Sequence, residues 1–152
     1  MLASAVVRPT LPAVDLERAK KFYTEKLGLK LIREDPSPGA QFQAASGTSI
    51  YLYKRTATKA DHTAAVFGIS DFDGALKDLN SKGVKLEEYD MPNLKTRDGV
   101  ATMETPQGLV KMAWFKDSEG NIISVSNMKT SSPSLYFLLV GINRPPCFTK
   151  GM

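Results

Sequence analysis

Residues 15–31 read DLERAKKFYTEKLGLKL, and residues 71–86 read DFDGALKDLNSKGVKL. Asp15, Ala19, Gly28, Lys30 and Leu31 of the first stretch match Asp71, Ala75, Gly83, Lys85 and Leu86 of the second. From 15 to 71 is a step of 56 residues and from 28 to 83 a step of 55, so one deletion aligns them. Each stretch begins with an aspartate whose carboxylate can accept from the free amides of a first helical turn. Leu16, Ala19, Tyr23 and Leu27 then recur at helical spacing, as do Phe72, Ala75, Leu76 and Leu79. A glycine stops each helix, because a left-handed residue closes a C-terminus most readily when it has no Cβ.

Strand signals surround both helices. Ala5 to Pro12 leads into the first, and Lys30–Glu34, Gln41–Ala45 and Thr48–Lys54 follow it, separated by Asp35-Pro36-Ser37-Pro38-Gly39 and Ser46-Gly47. His62 to Ile69 leads into the second helix. Leu86–Tyr89, Val100–Glu104, Val110–Lys116 and Ile122–Asn127 follow, with turns at Pro106-Gln107-Gly108 and Asp117-Ser118-Glu119-Gly120. A strand–helix–strands unit used twice predicts a duplicated α+β module. Two unrelated amphipathic helices with glycine stops are the plainer alternative.

LPAVDLERAKKFYTEKLGLKLIRED, residues 11–35, resembles the opening of the vicinal oxygen chelate superfamily, which includes glyoxalase I, bleomycin- and fosfomycin-resistance proteins and extradiol dioxygenases. AWFKDSEGNIISV, residues 113–125, resembles its closing hairpin, with Ser118 and Glu119 in place of the usual proline and aspartate. EEYDMPNLKT, residues 87–96, followed by AWFKD, is similar to a bacterial branch of unassigned function. The resemblance covers about residues 5–127. It implies an α+β fold of two βαβββ modules, about 5–54 and 62–127, whose open, curled mixed sheet forms a half-barrel around a cavity, often in a homodimer. Residues 1–127 are then one domain. Residues 128–152 fall outside the family pattern, and their apolar run Leu135–Ile142 suits an edge strand or a dimer-packing segment. A fusion extension without function is the competing reading of that tail.

The resemblance also implies where metal ligands stand in metal-dependent members: at Arg8, Tyr51, Ala64 and Ser124. None is a usual ligand for a divalent ion, since arginine is a permanent cation, alanine has no donor, and neutral tyrosine and serine bind such ions weakly. His62 stands two residues from Ala64, and one imidazole does not make a site. The expectation is a protein with no metal and no cofactor. Strand alternation adds Thr10 beside Arg8 and Tyr53 beside Tyr51. Trp114 resembles a cavity aromatic of the fosfomycin-resistance branch, with Met112 on its face. Arg8, Thr10, Tyr51, Tyr53, His62, Met112, Trp114 and Ser124 are therefore the candidate ligand-binding residues. Each has a structural alternative: a surface ion pair for Arg8, strand propensity for the tyrosines, core packing for Trp114, a strand end for His62.

Such a lining suits a small aromatic or amphipathic molecule with a carboxylate or phenolate facing Arg8. A metal-independent binding or sequestering protein is the leading expectation. The alternative is a glyoxalase-like lyase or isomerase, acting without a metal through Arg8 and Tyr51 or His62, or with one through unrecognised ligands.

Composition bounds the partners. The 152 residues include 42% hydrophobic and 24% charged ones, ordinary for a globular chain. Of the net charge of +4, Lys129, Arg144 and Lys150 lie in an acid-free tail, so the rest is nearly neutral and nucleic acid is not an expected partner. No apolar run is long enough to span a membrane, and MLASAVVRPT lacks the basic start of a secretory signal. With a lone Cys147, a reducing cytoplasm fits best.

Overall fold

The computed structural model describes residues 7–59, 61–106 and 108–128; the tail strand and Cys147 considered above lie outside them. The first module runs β1 (Thr10–Ala13), α1 (Leu16–Lys21), β2 (Lys30–Asp35), β3 (Gly39–Gln43) and β4 (Ser49–Lys54). The second runs β5 (Thr63–Gly68), α2 (Phe72–Ser81), a small hairpin of β6 (Asp90–Met91) and β7 (Leu94–Lys95), then β8 (Val100–Thr105), β9 (Gly108–Lys116) and β10 (Ile122–Ser126). Each module builds one mixed four-stranded sheet, ordered β1-β4-β3-β2 and β5-β10-β9-β8, with the leading strand parallel to the last. The repeat inferred from the two helical stretches is thus a repeat of topology, laid out as two open sheets.

Asp15 and Asp71 cap their helices as expected, accepting from Arg18 N at 3.0 Å and Gly74 N at 3.0 Å. The offset between the repeats has a structural cause. Module one holds one more residue between cap and glycine, and α1 absorbs it by continuing as a π-helical turn over Phe22–Lys26. Leu27 N accordingly reaches Phe22 O, and Leu29 N reaches Tyr23 O at 3.0 Å, whereas α2 closes with the shorter step from Val84 N to Leu79 O. Gly28 at φ +67° and Gly83 at φ +76° make these returns possible. The wider turn directs Phe22 toward Phe115 of sheet two (6.4 Å between centroids) and Tyr23 toward Phe42 of sheet one (5.5 Å).

One shared core results. Leu11, Ala40, Phe42, Ile50 and Leu52 of sheet one and Ala113, Phe115, Ile123 and Val125 of sheet two all pack in it with Ala19, Tyr23, Phe72, Leu76 and Leu79 of the helices. The sheets therefore each have a helix face, and alternation sends the intervening residues to a far face.

The β9–β10 turn fastens the modules together. Asp117, buried, accepts from Glu119 N (2.9 Å), Asn121 N (2.8 Å), Asn121 Nδ2 (2.8 Å) and the Tyr23 hydroxyl (2.8 Å). Asn121 Nδ2 also donates to Pro12 O at 3.0 Å. The Glu119 side chain, 1% exposed, accepts from Val14 N, Asp15 N and Ser118 Oγ and takes a two-pronged contact from Arg18. Burial raises the pKa of this carboxyl, but the Arg18 guanidinium, the Asp15 amide, Ser118 and the Val14 amide outweigh it, and the net direction is down. A carboxyl depressed in the folded state contributes stability that is complete above its unfolded pKa of about 4.3 and is lost as pH falls through the folded value. Glu119→Gln is therefore expected to lower the thermal midpoint at neutral pH, and the gap to the parent should close below about pH 4. Thermal melts between neutral and acid pH check this; a gap that stays constant would remove Glu119 as the source.

Leu86–Tyr89 does not form the strand its sequence suggests. Leu86 makes one bridge to Phe115 and Glu87 N bonds Trp114 O, after which the chain leaves the edge of β9 and rejoins it at Val100. The excursion carries β6 and β7 and ends on Asp98-Gly99, both with positive φ, a two-residue turn closed between Arg97 and Val100. Glu88 holds it by accepting from Gly99 N and Thr96 Oγ1. A Cβ at Gly99 would lie 2.6 Å from that of Leu86, so the site demands glycine for space as well as conformation. The other strands lie within a few residues of expectation; β1 begins at Thr10, and Ala5 and Val6 of the expected first strand lie outside the described residues.

Candidate functional site

The far face of sheet one gathers a set of polar and aromatic side chains. Parallel pairing sets Thr10 against Tyr51 and Pro12 against Tyr53, and antiparallel pairing sets Tyr51 against Gln41 and Tyr53 against Gly39. In β2 a bulge at Ile32 breaks the alternation, so Lys30 faces Gln43, Arg33 faces Gln41 and Asp35 faces Gly39 on this same side. Glu34 then points the other way, to Lys20 of α1 at 2.8 Å.

At one end of the face, Arg8 Nε donates to Ser49 Oγ (2.9 Å), and Gln41 Nε2 donates to the same oxygen (3.2 Å). Beside it the Tyr51 ring crosses Gly39, where a Cβ would come within 2.0 Å of the phenol oxygen, and its hydroxyl donates to Asp35 Oδ2 at 2.9 Å. Arg33 clamps Asp35 through Nε (2.7 Å) and Nη2 (3.1 Å). The hydrogen bond to Asp35 and partial burial push the Tyr51 phenol up, and Arg33 followed by Tyr51 pulls the Asp35 carboxyl down. Tyr51 is thus a neutral, oriented donor at physiological pH and not a base. Arg55 Nη1 reaches the Tyr53 hydroxyl at 3.3 Å at the far end.

The remaining candidates lie elsewhere. Met112, Trp114 and Ser124 are buried on the far face of sheet two, with Ser124 paired to Trp114 and Val66. There Leu94 of β7 and Tyr89 pack on Trp114, Met112, Ala101, Val110 and Ile122, the Tyr89 ring meeting Trp114 edge-on at 5.5 Å. Trp114 Nε1 donates to Thr63 Oγ1 at 3.1 Å. Ser124 Oγ comes 3.5 Å from Val125 O. His62 is two-thirds exposed, 3.4 Å from Asp61. The eight residues therefore divide: Arg8, Thr10, Tyr51 and Tyr53 share one surface, Met112, Trp114 and Ser124 belong to a packed cluster on the other sheet, and His62 stands at its own strand end. Sequence reading passed over Ser49 and Arg55, although both continue the period of two through Tyr51 and Tyr53.

A family model, that of the Glyoxalase/Bleomycin resistance protein/Dioxygenase superfamily, matches residues 5–125, which hold both modules. The chain belongs to this superfamily. No curated protein sequence matches it significantly. Among solved structures, it is similar to FosX, the genomically encoded fosfomycin resistance protein of Listeria monocytogenes in complex with Mn(II) and a dihydroxypropylphosphonic acid, at 16% identity and TM-score 0.62, covering 84% of this chain and 92% of that one. TnmS3, an antibiotic-binding protein of Streptomyces sp. CB03234, matches at 23% identity and TM-score 0.59 over 82% and 96%. A lactoylglutathione lyase of Agrobacterium tumefaciens matches at 18% identity and TM-score 0.58 over 81% and 92%. These likenesses show the fold.

Metal-binding members of the superfamily raise the question of whether this chain's residues suit a divalent ion. They do not. Arg8 carries a fixed positive charge, the Tyr51 hydroxyl is engaged by Asp35, and Ala64 offers no donor and packs against the helix-side core. Ser124 contributes one neutral oxygen. Among the described residues no three His, Cys, Asp or Glu side chains come together. No helix there is long and apolar enough to cross a membrane.

Proposed function

We propose that this superfamily member binds a small organic molecule, aromatic or amphipathic and bearing an acid group, on the far face of sheet one, without a metal and as a binding or sequestering protein. The observation that carries this is Arg8 held on Ser49 beside the two tyrosines of β4, with Arg8 and Tyr51 at positions where the resemblance puts the ligands of metal-dependent relatives. A guanidinium braced through Nε keeps its terminal nitrogens for a carboxylate, and half-buried phenol rings supply apolar contact. Tyr51, engaged by Asp35 and shifted upward, is suited to holding a ligand and not to abstracting a proton. That TnmS3 binds an antibiotic on the same fold is in keeping with the reading.

Among the described residues β1 and β5 each have one strand neighbour, which leaves their outer edges open. A second copy of the chain closing the half-barrel is part of the proposal, as are a single domain over residues 1–127, a tail that packs at an edge or across the dimer, and a cytoplasmic location. Native mass spectrometry of the purified protein tests the core of it. A dimer retaining an organic adduct and no metal is the expected result, with the adduct lost in the double variant Arg8→Gln, Tyr53→Ala. One divalent ion per subunit would overturn it.

A further inference from the structure

The near-neutral charge of the domain conceals a segregation that strand pairing reveals. The far face of sheet one carries Arg8, Lys30, Arg33 and Arg55 against one carboxylate, Asp35, and Asp35 is already consumed by Arg33 and Tyr51. Among the described residues Arg8, Lys30 and Arg55 have no carboxylate within ion-pair distance. Two of these cations are built into the same small arrangement at opposite ends of β4.

At one end Ser49 Oγ accepts from both Arg8 and Gln41. A hydroxyl has two acceptor positions and one hydrogen. With both acceptor positions filled, the Ser49 hydrogen is left to be given to an outside oxygen, next to the terminal nitrogens of Arg8. At the other end Tyr53 accepts from Arg55, and its phenolic hydrogen is likewise left to be donated. Each end thus offers a guanidinium and an O–H donor side by side, which is the donor set of an oxyanion. Four residue steps along β4 take Ser49 to Tyr53, about 13 Å along a strand, with Tyr51 midway between them and its ring reaching across to Gly39, the β3 partner of Tyr53.

We infer that, resting on the binding role proposed above, the ligand class is an elongated aromatic dianion lying along β4, one acid at Arg8–Ser49 and the other at Arg55–Tyr53. The spacing acts as a ruler: a molecule with one acid, or with two acids too close together, satisfies only one end.

Calorimetric titration of the full chain with three probes tests this: biphenyl carrying acids at both para positions, biphenyl with one para acid, and terephthalate. The long diacid is expected to bind about tenfold more tightly than either other probe, the usual scale for one added charge-assisted contact. Arg8→Gln and Arg55→Gln, both at exposed positions, should each bring it down to the affinity of the monoacid with the thermal midpoint unchanged. Equal affinities for the long diacid and the monoacid, or an advantage that survives Arg55→Gln, would overturn the inference. If the monoacid then still binds and weakens in Tyr53→Ala, the binding role stands without it. No binding by any probe would overturn both.

Discussion

Asp117→Ala is expected to cost about 3–5 kcal/mol, the range for deleting one partner from a buried charged network. Both carboxylate oxygens are fully used, Oδ1 by two backbone amides and Oδ2 by Tyr23 and the Asn121 amide. Alanine leaves those four donors in a space too small to rehydrate them properly, and each orphaned donor is worth about 1–3 kcal/mol before non-additivity. The effect reaches both modules, because the Tyr23 hydroxyl and Pro12 carbonyl belong to module one and the turn to module two. Tyr23→Phe, which removes one donor and leaves the turn intact, should cost only about 1–2 kcal/mol. Burial first, then the charge of Asp117, push the Tyr23 phenol far up. A group whose folded pKa is raised loses stability as pH climbs past its unfolded value, about 10 for tyrosine. The phenylalanine variant should therefore also be less sensitive to alkali. Chemical denaturation of both variants gives the comparison; equal costs would mean that the Tyr23–Asp117 bond carries the whole effect and that the carboxylate's bonds within the turn add nothing.

Phe115→Ala is expected to be comparably severe, about 3–5 kcal/mol, since truncating a buried phenylalanine removes transfer energy and leaves a cavity. Phe115 is fully buried, pairs with Ile123 in the ladder, bridges Leu86 and meets the Phe22 ring turned toward it by the π-helical turn. For a chain of this size the loss corresponds to a fall in thermal midpoint of roughly 10 °C. Leu109→Ala, at a half-exposed position of the same strand, is the control and should stay within about 0.5 kcal/mol. A small effect at Phe115 would mean that the two sheets do not share one core.

Much of the architecture was legible because it is local. A capping carboxylate, an apolar stripe and a glycine stop act within a few residues of one another, so both helices and the module repeat could be read directly. The closing turn was legible as a motif, while its work was not, because the partners of Asp117 and Glu119 stand about a hundred residues away at Tyr23, Val14, Asp15 and Arg18. Arg8 and Tyr51 came from the resemblance to the superfamily and Thr10 and Tyr53 from alternation beside them; strand pairing puts Thr10, Tyr51 and Tyr53 on one face, and a bond to Ser49 brings Arg8 to it. Trp114 and Met112 share a face by the same rule, yet alternation says nothing about what lies above that face, and here Leu94 and Tyr89 do.

The amino-acid sequence by itself determined two βαβββ modules and their superfamily. Tertiary structure alone decided which polar residues meet. In a regular β2, Lys30 would share a side with Ile32 and Glu34; the bulge at Ile32 instead brings Lys30, Arg33 and Asp35 to the tyrosine face and leaves Glu34 for Lys20. One extra residue in a strand reverses the side of everything beyond it. Whether that residue is taken up as a bulge depends on pairing with distant strands, and no local propensity records it.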